Sequence, residues 1–68
     1  MREVDTRGLS CPEPIMLTQE ATIAGDSELA ILVDTEVSKE NVIRFLENAG
    51  YKTNLENAGD HYRIVGSK

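Results

Sequence analysis

The sequence predicts a small two-layer α/β sandwich of β-α-β-α-β-β order, with two helices on a mixed four-stranded sheet. Three features point to it. Two segments carry apolar residues at helical spacing. One segment between them is apolar at nearly every position. The last third alternates apolar and polar residues on either side of a glycine-containing turn.

Residues 2 to 6, "REVDT", read as a short strand with Val4 facing inward. Residues 12 to 24 read as the first helix, with Pro14, Leu17, Ala21 and Ala24 on one face. Gly25 supplies a left-handed end to it. "SELAILVD" is apolar on both alternating faces (Leu29, Ile31 and Val33; Ala30 and Leu32), as expected of a central strand. In "EVSKEN" Ser38 is the expected N-cap of the second helix, with Lys39 to Asn41 in its first turn. Val42, Phe45, Leu46 and Ala49 then share a face, and Gly50 stops the helix. Tyr51, Thr53 and Leu55 alternate with Lys52, Asn54 and Glu56. The "NAGD" turn at 57 to 60 leads into "HYRIV", which completes a terminal hairpin. Strand order does not follow from this pattern.

Sixty-eight residues make one domain, 1–68, with room for a single core and no separate cofactor domain. There is no tryptophan and one phenylalanine, so that core is aliphatic. The formal charge of −5 argues against direct nucleic-acid binding and against an anionic membrane. The seven basic residues are scattered rather than clustered. No apolar run approaches the ~20 residues that span a bilayer, and the first residues show no signal-peptide-like hydrophobic stretch. One cysteine forms no internal disulfide and no multi-thiolate metal site, and the single histidine, His61, is distant from it in sequence. A monomer in a reducing cytoplasm, without metal or cofactor, is the expectation.

The stretch that carries chemistry is "RGLSCPEPIM", residues 7 to 16, which sets Cys11 directly before Pro12 and Pro14. Proline fixes φ and lacks an N–H, at little cost in a helix's first turn, so the prolines mark a rigid helix start. Two registers compete: Cys11 caps with Pro12 as the first helical residue, or Glu13 caps and the helix begins at Pro14. Either register brings the sulfur to the positive end of the helix dipole, which favours the reactive thiolate. Arg7 adds positive charge, while Glu3, Asp5 and Glu13 oppose it. Gly8 gives the loop freedom to keep the sulfur exposed. A lone cysteine is commonly a small buried hydrophobe. The polar neighbours Ser10 and Glu13 and the helix-start position favour a functional thiol here.

"VDTRGLSCPEPIMLTQEA" resembles the signature of the TusA/SirA/YedF family of small sulfur carriers: an Asp, then Gly-Leu-x-Cys-Pro-x-Pro opening the first helix. The resemblance covers essentially the whole chain and implies the same β-α-β-α-β-β sandwich. It implies that Cys11 carries sulfane sulfur as a persulfide, received from a cysteine desulfurase or rhodanese and passed to a DsrE-like or other thiol protein. Arg7, Gly8, Pro12, Glu13 and Pro14 would support the helix start and the loop. Such a protein is a carrier rather than a turnover enzyme. Many members have a lysine on the first helix where this chain reads Gln19-Glu20. The resemblance admits both a stand-alone domain and the N-terminal half of a longer YedF-like protein.

The competing reading is a non-catalytic regulatory or interaction module whose cysteine senses redox state or is incidental. RNA binding would rest on fold analogy alone, against the charge. His61 reads as an ordinary hairpin residue, Met16 as either core or a docking contact beside the thiol, and "DTEVSKEN" as loop plus cap, lacking the spacing of a calcium loop. Tyr51 and Tyr62 are expected to straddle core and surface.

Overall fold

The computed structural model describes residues 2–9 and 13–68. Six elements follow in the expected order: β1 (Arg2–Asp5), α1 (Glu13–Ile23), β2 (Glu28–Val33), α2 (Glu36–Asn48), β3 (Lys52–Asn57) and β4 (Tyr62–Ser67). The sheet order is β1-β2-β4-β3. β1 runs parallel to β2, with Val4 opposite Ile31, whereas β4 is antiparallel to both β2 and β3. β2 is therefore central, which explains why every residue from Leu29 to Val33 is buried.

Both helices pack on one face of the sheet. Leu29, Ile31 and Val33 project to that side of β2 and meet Ile64 of β4, Ala21 of α1, and Val42 and Leu46 of α2 in one cluster. The other face has no helix, yet Ala30 and Leu32 are buried there too. Arg63 stands opposite Leu32 on β4 and reaches Glu56 on β3 (Nη1 to Oε1, 2.9 Å) and Glu3 on β1 (Nε to Oε2, 3.6 Å). To touch β1 it must cross β2, so its long side chain lies over these two apolar residues. The hydrogen bond to Glu56 raises the Arg63 pKa above its ordinary value.

Two helix details differ from expectation. The N-cap of α2 is Thr35, not Ser38: the Thr35 hydroxyl accepts from Ser38 N–H at 3.1 Å, and Ser38 is a buried residue inside the helix. Two hydroxyl residues three apart compete for the cap. The earlier one wins because its side chain then satisfies a first-turn donor that would otherwise be unpaired. In α1 the buried face is Pro14, Thr18 and Ala21 rather than Pro14, Leu17, Ala21 and Ala24. Leu17 is half-buried and Ala24 lies exposed beyond the helix. Thr18 can be fully buried because its hydroxyl donates to Pro14 O at 2.8 Å, leaving no polar group unsatisfied.

The end of α2 is built as expected around Gly50, with φ of +92°. Gly50 N–H donates to Glu47 O (3.1 Å) and Tyr51 N–H to Leu46 O (2.9 Å), the paired bonds of a Schellman stop. Tyr51 then joins Leu46 in the core and is buried outright rather than straddling, its hydroxyl donating to Asp26 O at 2.7 Å. Tyr62 is half-buried, with the Lys39 ammonium 5.1 Å from its ring centroid. Leu55 faces the helix side but stays 48% exposed, because β3 is an edge strand that α2 covers only partly.

Candidate functional site

The parallel pairing of β1 and β2 fixes where the cysteine-bearing segment starts. β1 ends at Asp5 opposite Leu32, so the chain leaves the sheet beside the end of β2. Thr6 is buried, and both its N–H (2.9 Å) and its hydroxyl donate to Leu32 O. A turn follows, closed by Leu9 N–H donating to Thr6 O at 3.2 Å. Gly8 stands at its third position with φ of +82°, the geometry of a type II turn, which any other residue would adopt at a steric cost. Its own N–H donates to the Asp34 carboxylate at 2.8 Å. The turn is thus tied to both the last residues of β2 and the loop beyond it.

Arg7 is folded back on Asp5. Its backbone N–H and Nε both donate to Asp5 Oδ1 at 3.0 Å, and Nη2 donates to Oδ2 at 2.9 Å. The side-chain bond from Arg7, then its backbone bond, hold the Asp5 carboxyl far below the usual range, at about 2. The same side-chain bond raises Arg7. The cation expected to favour a thiolate is therefore already engaged with a carboxylate. Glu3, expected to oppose it, reaches across the sheet to Arg63 instead.

Beyond the turn, α1 begins at Glu13, which is exposed in its first turn, and Pro14 follows, buried. An acidic residue there suits the positive end of the helix. Cys11 and Pro12 lie outside the described residues, whereas Glu13 is already the first residue of α1, so the register in which Glu13 caps and the helix begins at Pro14 is not the one adopted. The structure brings Arg7 and Gly8 into one tethered turn and sets Glu13 and Pro14 at the head of α1, leaving three residues of chain between Leu9 and Glu13.

Three residues at this end of the sheet were not singled out as site residues by the sequence. Asp34 looked like loop, and its partner Gly8 is 26 positions away. Only the parallel register of β1 and β2 brings them together. Asp60 and His61 sit just before β4, whose first residue, Tyr62, pairs with Val33 at the end of β2. They therefore share that end of the sheet with the Thr6–Leu9 turn. His61 Nδ1 lies 2.6 Å from Asp60 Oδ1, a bond that lowers the Asp60 carboxyl, with smaller contributions from the charges of His61 and Arg7. Among the described residues no group of three or more His, Asp or Glu side chains is placed to hold a metal ion. None of the helices described is long and apolar enough to cross a membrane. An open concavity lined by Arg2, Asp26, Ser27 and Glu28 lies at the opposite end of the sheet, where Arg2 pairs with Asp26.

A two-layer sandwich whose first strand passes through a tethered turn into a single-cysteine segment at a helix head defines a class of small thiol-bearing α/β modules. The family model described as sulfurtransferase TusA matches residues 2–68, and the chain belongs to that family. It is 35% identical over 71 aligned residues to a protein of Methanocaldococcus jannaschii named as a candidate sulfur carrier, covering all of this chain and 95% of that one. Its fold is also that of a SirA-like protein from Desulfitobacterium hafniense, whose crystal structure superposes with a TM-score of 0.84 at 24% identity over 98% of this chain and 96% of that one.

Proposed function

We propose that this protein is a sulfur relay in which Cys11 accepts a sulfane sulfur, holds it as a persulfide and passes it to a second thiol. The observation that carries the reading is family membership over residues 2–68 in a chain with a single thiol, set in a Gly-Leu-x-Cys-Pro-x-Pro string that resembles the family signature. The Methanocaldococcus relative, named as a candidate sulfur carrier, supports it. The loading step is a displacement. The Cys11 thiolate attacks the terminal sulfur of a donor persulfide, the donor cysteine leaves as thiolate, and Cys11–S–SH results. Unloading is the same exchange with an acceptor thiolate, so each transfer conserves electrons and needs no cofactor.

The tethered turn serves this chemistry by limiting how the chain enters the segment. Leu32, Asp34 and Asp5 hold residues 6 to 8, and on the far side Pro14 is buried in the first turn of α1. That reduces the conformations a transferring thiol must search. The donor class is a cysteine desulfurase or a rhodanese, the acceptor a DsrE-like or other thiol protein, and the compartment a reducing cytoplasm.

The test is a mass measurement. Incubated with a cysteine desulfurase, pyridoxal phosphate and cysteine, or with a small-molecule persulfide donor, the protein should gain one sulfur atom, removable by dithiothreitol. Cys11→Ser should gain none while keeping its fold. If the small-molecule donor leaves Cys11 unmodified under conditions that convert free cysteine, the relay reading is wrong and the interaction module takes its place.

A further inference from the structure

We propose that the outer face of α1 is a docking surface for a partner protein that presents basic side chains around an apolar groove. The helix is unusual in what it hides and what it shows. It buries Pro14, Thr18 and Ala21, one of them polar, and exposes Met16 (57%) and Ile23 (75%). At about 100° per residue, Glu13, Met16, Gln19, Glu20 and Ile23 fall within roughly 120° of arc, directly opposite the buried face. All five are exposed. A helix that needed only to cover the sheet would put its large apolar side chains inward. Here two of them are spaced seven residues apart on the outside, on one line down the helix.

The charge on this arc names the partner's chemistry. Glu13 and Glu20 are its only charged residues, and α1 carries no lysine or arginine anywhere along its length. Among the described residues neither glutamate is paired with a cation. The chain as a whole is at −5, so a second copy or an anionic membrane meets like charge on this face. A partner with Lys or Arg flanking an apolar groove meets both features at once, the carboxylates at the rim and Met16 and Ile23 in the groove. Because α1 starts two residues after Cys11, a partner seated on it would bring its own thiol to the loading end of the helix; this last step rests on the relay reading, whereas the surface itself does not.

The experiment uses the full chain with Cys11→Ser, so that no disulfide or persulfide contributes to binding. Two labelled helical peptides with identical leucine spacing, one with lysines and one with glutamates at the flanking positions, are titrated against it. Binding is followed by fluorescence anisotropy and by amide NMR shifts. The lysine peptide should bind at least about tenfold tighter at low salt, with the preference shrinking as salt screens the rim charges. Its shift changes should map to α1. Ile23→Asp and Glu20→Lys should each weaken it by about fivefold or more without altering the thermal melt, since both side chains are solvent-facing. Equal binding of the two peptides, shifts on the uncovered sheet face instead, or self-association lost on Ile23→Asp would each overturn the proposal. Persulfide loading from a small molecule is scored separately. Peptide binding without loading leaves this surface standing and removes the relay, and loading without selective binding does the reverse.

Discussion

Replacing Asp34 by alanine removes the acceptor of the Gly8 N–H while leaving every residue of the cysteine-bearing loop in place. The bond is 2.8 Å long and solvent-exposed, so its net contribution belongs in the ordinary range, about 1 kcal/mol. That corresponds to about a fivefold rise in the population of the untethered turn. Thr6 remains held to Leu32 and Arg7 to Asp5, so the sheet and the first part of the loop should persist. Amide hydrogen exchange at Gly8 should accelerate about fivefold, with Thr6 and the β2 amides unaffected. Persulfide loading from a small-molecule donor should slow by up to the same factor. Asp34→Asn keeps an acceptor oxygen without the charge, so it should recover most of the exchange protection. A Gly8 amide no faster in Asp34→Ala than in the wild type would refute the Asp34 tether, and with it the idea that the loop after β2 positions the turn.

Three other outcomes follow from the same structure. Thr35→Ala should destabilise the fold by about 1 kcal/mol in urea denaturation, and Ser38 should not rescue it by capping in its place. Leu46 is fully buried at the junction of α2 and the Schellman stop, so Leu46→Ala should cost about 2–5 kcal/mol and lower Tm by more than about 10 °C. The Asp5 carboxyl, followed by NMR, should titrate near pH 2. Because its folded pKa is depressed, the Arg7 pairing contributes stability above the unfolded value of about 3.9 and loses it as pH falls towards about 2. A midpoint at the ordinary carboxylate value would show that the clamp is absent in solution.

Much of this architecture was legible in the residues. The all-apolar run Leu29 to Val33 announced the central strand, and Gly50 and the 57–60 turn marked real boundaries. The misreadings share a cause: each depended on where a polar group finds its partner. Thr18 was not among the residues placed on the buried face, because hydropathy does not register a hydroxyl bonded to the carbonyl of Pro14. Ser38 looked like a cap because Thr35, three residues earlier, offers the same chemistry. Strand order was out of reach because β2 pairs with β4, across both α2 and β3 in sequence. Asp34 was overlooked as a positioning residue for that reason as well. Its role exists only once β1 and β2 lie side by side. The thiol, in the "GLSCPEP" string, lies outside the described residues, and its reading rests on the sequence.

The most direct measurement of the relay is a single-turnover sulfur chase. The protein is loaded with radiolabelled sulfane sulfur, freed of donor, and mixed with an excess of a thiol acceptor protein. The expected result is one label per chain at Cys11, moving intact to the acceptor thiol and leaving a free Cys11 that can be loaded again. Label that never attaches to Cys11, or that attaches and departs only on reduction to sulfide, would contradict it.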